Sequence, residues 1–206
     1  GSSGGDRQAD RPARYGQLAG IKHSQCGGCV MLISGRAWIL GDGIDTDLLA
    51  PGAYMSGGLD TLSSHCLEAL RPDFAGNVRD GDIILGGTSF GIGSSREQAA
   101  EALKHLGIRA VIARSLGGIF QRNALNLGLP AIACADLQTD AIAEFGVARI
   151  DIAAGNLDVG GRQFATEALP DFLLAMISDG GMLAHLSRNK AGAGSQMTAD
   201  IKTGDI

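Results

Sequence analysis

The chain has 206 residues, 45% of them apolar and only 4% aromatic, with 32 glycines and a net charge of −5. That length suits one domain with a core of its own, and the negative charge argues against nucleic acid or an anionic membrane surface as the main partner. No apolar run approaches the ~20 residues of a membrane span, and no charged-then-apolar leader is expected.

Residues 1–32 are rich in Gly, Ser, Arg and Gln and hold no helical or strand period, so a flexible N-terminal arm is expected there. It contains Cys26-Gly-Gly-Cys29. Without a second CxxC or a His pair at ligand spacing, this is a weak zinc signal, and no metal site is expected in the chain. The irregular spacing of the four cysteines (with Cys66 and Cys134) fits a reduced, cytoplasmic setting. The domain is expected over 33–187, followed by a flexible polar tail over 188–206.

Within the domain, Ala37–Leu40 reads as a short strand running into a Gly/Asp-rich loop. Apolar residues at 62, 66, 67 and 70 have helical spacing, giving a helix over 61–70 that Arg-Pro-Asp-Phe ends. Asp82–Gly86 is an apolar strand, Arg96–Leu106 an amphipathic helix, Ala110–Arg114 a strand, Ile119–Leu127 a helix and Ala131–Cys134 a strand. This β-α-β-α-β run with short connections predicts a parallel sheet with right-handed crossovers. Short strands are expected over 148–152, 156–160 and 162–166. A closing helix over 170–181 starts with Pro170 and ends in glycine.

The stretch Gly86–Gln98, Gly-Gly-Thr-Ser-Phe-Gly-Ile-Gly-Ser-Ser-Arg-Glu-Gln, joins a strand to a helix N-terminus. Free N–H groups and a partial positive charge make such an end attractive to anions. Neither GxGxxG nor GxxxxGK[ST] is met, since Arg96 stands where a third dinucleotide glycine would be. Arginine points to a carboxylate, which it binds with two parallel hydrogen bonds. Both Ser94-x-x-Glu97 and Ser95-x-x-Gln98 fit the capping box. Only one serine can cap, which leaves a hydroxyl beside the helix end and Arg96. Local sequence alone favours the capping role for these serines over chemistry.

Three blocks resemble the aconitase superfamily: Gly91–Ala100 its swivel-domain signature, Gly41–Met55 its Gly-Asp-x-Ile-x-Thr-Asp loop, and Ala110–Ile132 its third block. Pro170–Leu186 is similar to its C-terminal helix. The resemblance covers roughly 34–186 and implies an α/β fold, the swivelling β/β/α domain with a mostly parallel central sheet flanked by helices. With nothing expected beyond that domain, the match is to the separate small subunits of 3-isopropylmalate dehydratase, a hydro-lyase of leucine biosynthesis that interconverts 2- and 3-isopropylmalate.

The resemblance also implies a large-subunit partner carrying a [4Fe-4S] cluster, no cofactor bound by this chain, and no activity of this chain alone. It assigns Ser94 as general base, Ser95 and Arg96 as carboxylate binders, and Asp47 as partner to a histidine of the larger part. Ser95 with Gln98 is then expected to cap the helix and leave Ser94 free. Arg122 and Asn123 are expected to fix the third helix against the signature loop. In the family the loop after Thr46-Asp47 meets the variable part of the substrate. No Lys or Arg occurs from Leu48 through Leu70. Tyr54, Met55 and Leu59 suit an apolar substituent better than a further carboxylate, which would be desolvated without a cation. Homoaconitate, 2-methylcitrate and dimethylmalate remain alternative substrates, and a stand-alone carboxylate-binding module is a third reading.

Overall fold

The computed structural model describes residues 31–199. Most of the expected arm, the Cys26–Cys29 pair and the end of the expected tail lie outside them. Seven strands form one sheet: β1 (Leu32–Ile39), β2 (Ile83–Gly86), β3 (Ala110–Ala113), β4 (Ala131–Ala133), β5 (Val147–Asp151), β6 (Asn156–Val159) and β7 (Arg162–Ala165). Their order is β4-β3-β2-β1-β5-β6-β7. The first four are parallel neighbours, and β5, β6 and β7 continue the sheet antiparallel from the other edge of β1. The parallel half is the expected one. The sheet as a whole is mixed, with three parallel and three antiparallel pairings.

The helices are α1 (Thr46–Leu49), α2 (Gly58–Ser64), α3 (Phe74–Asn77), α4 (Gln98–Leu106), α5 (Gly118–Asn126), α6 (Asp171–Ser178) and α7 (Met182–Ala199). β2 and β3 are buried along their whole length, as expected of strands covered on both faces. Side chains alternate between two cores. Ile84, Val111 and Ala113 face the core under α2, α4 and α5, while Ile83, Leu85 and Ile112 face the one filled by α6 and the antiparallel strands. Helix α4 presents small residues, Ala99, Ala100 and Ala102, to the first core, and Leu103 fills the space beside them.

Four expectations shift. β1 begins at Leu32 and Met31 is already buried, so the domain starts ahead of residue 33. The helix expected over 61–70 is α2, which stops at Ser64. Leu62, Cys66 and Leu67 are buried as their spacing foretold, but Leu67 takes φ 60° and donates its N–H to Leu48 O at 2.8 Å. Leu70, the fourth apolar position, is 47% exposed, so periodicity found most of the buried face while a tertiary hydrogen bond broke the helix. The closing helix splits, because Gly180 and Gly181 separate α6 from α7. Backbone helix then continues through Ala199, across the first part of the stretch read as a flexible tail from 188. No Pro interrupts that stretch.

Candidate active site

Three loops meet at the carboxyl ends of β1, β2 and β3, where ligands bind in parallel α/β sheets. Two hydrogen bonds zip the first loop to the second: Gly91 N–H donates to Ile44 O at 2.6 Å and Thr46 N–H to Ile92 O at 2.8 Å. The second is joined to the third by Phe90 N–H to Ser115 O at 3.0 Å and Gly117 N–H to Phe90 O at 2.7 Å. Asp42 ties the base of the cluster, accepting from Thr88 N–H, and that bond holds its carboxyl below the usual range.

The signature loop carries strain where it turns. Ser89 sits at φ 60° with its N–H on Ser115 Oγ at 2.8 Å, a non-glycine conformation costing about 1–3 kcal/mol. Gly91 is at φ 73°, and a Cβ there would lie 2.3 Å from the Phe120 ring. Phe120 stacks edge-on with Phe90, ring centroids 5.5 Å apart. These two rings hold α5 against the loop. Arg122, expected to do so with Asn123, is exposed and its side chain makes no hydrogen bond among the described residues, while Asn123 is buried on α5.

Neither serine caps α4. The helix begins at Gln98 with Glu97 as its N-cap and no side-chain cap bond, so the expected Ser95–Gln98 box does not form. The loop reaches the helix by a different path, with Ser94 tied back to α1: its N–H donates to Thr46 Oγ1 at 3.0 Å, and the two hydroxyls lie 3.2 Å apart. The side-chain cap is elsewhere, at Asp45, whose Oδ1 accepts Leu48 N–H at 2.8 Å. As a result the N–H groups of Ser95, Arg96, Glu97 and Gln98 have no partner among the described residues. Four free donors and the dipole of a nine-residue helix face the same region as the exposed Ser94 and Ser95.

Arg96 Nη1 pairs with Asp47 and also donates to Ala50 O at 3.1 Å. Its Nε and Nη2 have no partner among the described residues, which leaves one edge of the guanidinium for a two-point carboxylate contact. Ser94, Ser95, Arg96 and Asp47 are thus brought together as the motifs suggest. The side chain of Asp47 is 65% exposed. The short 3₁₀ turn over Gly52–Gly57 starts beside Arg96 and carries Tyr54 and Met55.

Met55 is exposed, while Tyr54 is half-buried and packed on a neighbour along one ring face. Its ring stacks on His65 with centroids 3.5 Å apart and 3° between planes. The Glu68 carboxylate, as hydrogen-bond acceptor, raises the phenol above its usual range, and His65 in turn holds Glu68 low across a 2.5 Å contact. Sequence reasoning passes over Thr46 and Asp45. The available signal is an Asp-Thr-Asp triplet opening a short helix, where the first Asp is a ready N-cap.

The described residues do not fit an iron–sulphur cluster. Cys66 and Cys134 are buried in the two different cores, burial pushes both thiols up, and no three His, Cys, Asp or Glu side chains converge among the described residues. No described helix is long and apolar enough to cross a membrane.

Comparisons with known proteins bear on the family and the fold. The aconitase C-terminal domain family model matches residues 72–136. A methanogen homoaconitase small subunit from Methanothermobacter thermautotrophicus is 45% identical over 75% of this chain and 90% of its own length. A 3-isopropylmalate dehydratase small subunit from Methanopyrus kandleri is 41% identical over 76% and 94%. Another from Halothermothrix orenii is 40% identical over 74% and 94%. The crystal structure of 3-isopropylmalate dehydratase from Methanocaldococcus jannaschii superposes with a TM-score of 0.73 at 36% identity, covering 81% of this chain and 99% of that one.

Proposed function

We propose, for a chain that belongs to the family of 3-isopropylmalate dehydratase and homoaconitase small subunits, that it supplies the base and the carboxylate-binding half of a hydro-lyase site. Its substrate in this reading is isopropylmalate. The observation that carries the reading is one loop on which exposed Ser94 stands beside four free backbone N–H groups and the open edge of Arg96.

A substrate carboxylate on Arg96 Nε and Nη2, with Ser95 and the helix N–H groups around it, puts the adjacent carbon next to Ser94 Oγ. Ser94 then takes the proton from that carbon. Serine is a poor base at its ordinary pKa, and the cationic, preorganised surroundings favour its deprotonated form. Asp47 steadies Arg96 through one oxygen, and its Oδ2 is left for a histidine of the partner. The family's cluster is assigned to the large subunit, where it would supply Lewis-acid help to the departing hydroxyl.

The choice of substrate rests on the lack of Lys and Arg from Leu48 through Leu70, with exposed Met55 as an apolar contact on the turn whose first residue, Gly52, lies beside Arg96. The 45% identical relative named for homoaconitase supports the second reading, a tricarboxylate substrate. Reconstitution with a cluster-loaded large subunit separates them. Turnover of isopropylmalate well above homoaconitate supports the first; the reverse order overturns it. Neither component should turn over substrate alone, and tight binding of isopropylmalate by this chain alone in calorimetry would favour a stand-alone binding module instead.

A further inference from the structure

We propose that Thr46 is the positioning residue of Ser94: its hydroxyl receives the Ser94 N–H and donates its own proton to Ser94 Oγ. The inference deepens the reading of Ser94 as the base and rests on it.

The geometry counts protons. Thr46 is 1% exposed, and its Oγ1 lies 3.0 Å from Ser94 N and 3.2 Å from Ser94 Oγ. A threonine hydroxyl has one proton and two lone pairs. The Ser94 amide can only donate, so it takes one lone pair of Thr46. The Thr46 proton then needs an acceptor, because a buried hydroxyl left undonated is disfavoured. Among the described residues Ser94 Oγ is the one acceptor within reach. The opposite direction would strand that proton in the interior.

The direction matters for chemistry. With Thr46 donating, the Ser94 proton turns away from α1 toward the exposed side of the loop. When Ser94 loses that proton, the Thr46 bond becomes charge-assisted and stronger, which favours the deprotonated serine. The loop is built around this contact. Gly93 lies at φ 115°, and a Cβ there would come 2.8 Å from Thr46 Oγ1. The Asp45 cap and the Thr46 N–H to Ile92 O bond hold the threonine backbone from both sides.

The test uses the reconstituted two-subunit enzyme with Thr46→Val, Thr46→Ser and Ser94→Ala. Valine keeps the shape and removes the hydroxyl. It should lower kcat about 10–100-fold, the effect of losing a hydrogen bond to a charged group, with KM within about twofold, a marker of an interaction made only in the transition state. The ascending limb of the kcat–pH profile should move up by about one to two units, so that activity partly recovers at higher pH. Serine should restore both. If Thr46→Val fails to assemble, Gly93→Ala crowds the same hydroxyl from the other side and should give the same upward shift. An unchanged pH profile in Thr46→Val, or in Gly93→Ala where that variant stands in, with Ser94→Ala inactive, overturns the role of Thr46. An active Ser94→Ala overturns instead the reading on which it rests.

Discussion

In the proposed site Arg96 and Ser94 divide the work of the signature loop between carboxylate binding and proton removal. Because Arg96 holds Asp47 and Ala50 O through Nη1 alone, its other edge is free for two parallel bonds that lysine cannot copy. Arg96→Lys should therefore raise KM at least about tenfold in steady-state kinetics, the loss expected of one charge-assisted bond; an unchanged KM would show that the carboxylate binds elsewhere. A chemical role for Ser94 and Ser95 came only from the family resemblance, because local patterns favour capping, while a carboxylate contact at Arg96 was legible from the failed nucleotide patterns and the arginine itself. The division of labour between the two serines was not. Capping boxes are local patterns, and here the loop enters α4 with Ser94 bonded to Thr46, 48 residues away. No local pattern contains that partner. The packing of Tyr54 was hidden for a similar reason: the His65 ring stacked on it comes from the turn after α2, and the helix reading of 61–70 hid that turn.

At the scale of elements, the signature loop depends on glycine at Gly91, where positive φ and the Phe120 ring exclude a side chain. Gly91→Ala should destabilise the fold by about 1–3 kcal/mol through overpacking and backbone strain, read as a lower midpoint in urea. A midpoint equal to that of the unmodified chain would mean that the loop is not held by α5. Asp45→Ala removes the one side-chain cap at the site and should cost about 1 kcal/mol, with a further loss of turnover because α1 carries Thr46 and Asp47. The parallel strands and α4 and α5 were read correctly because fully buried runs and amphipathic spacing are intrinsic to each segment. The start of β1 was not. Leu32–Arg36 holds Gly35 and alternates poorly, and its strand character comes from pairing with β5, more than a hundred residues later.

Across the whole molecule, β1 is the seam between the parallel and antiparallel halves of the sheet, and one buried carboxylate secures it to β2. Asp82 accepts from Arg36 Nη2 at 2.7 Å, Trp38 Nε1 at 2.8 Å and Arg79 N at 2.9 Å. Burial pushes its carboxyl up, but these donors more than offset that and hold it below the usual aspartate range. A carboxyl lowered by folding stabilises the protein above its unfolded pKa, and that stability is lost as pH falls through the folded value. Asp82→Asn should thus cost about 3 kcal/mol at pH 7, and the gap to the unmodified chain should close in urea titrations as pH falls below the carboxylate range. An equal gap at pH 7 and pH 3, roughly either side of that range, would exclude the ionised role.

The same sheet sets three loops at the ends of β1, β2 and β3, and the central claim is that they present Ser94 as the base of a hydro-lyase completed by a second subunit. The most direct measurement is kcat of the reconstituted pair with Ser94→Ala, alongside proof by size-exclusion chromatography that the subunits still associate. A fall of about 10²-fold or more with assembly intact is the predicted result. Turnover close to that of the unmodified pair would contradict the account.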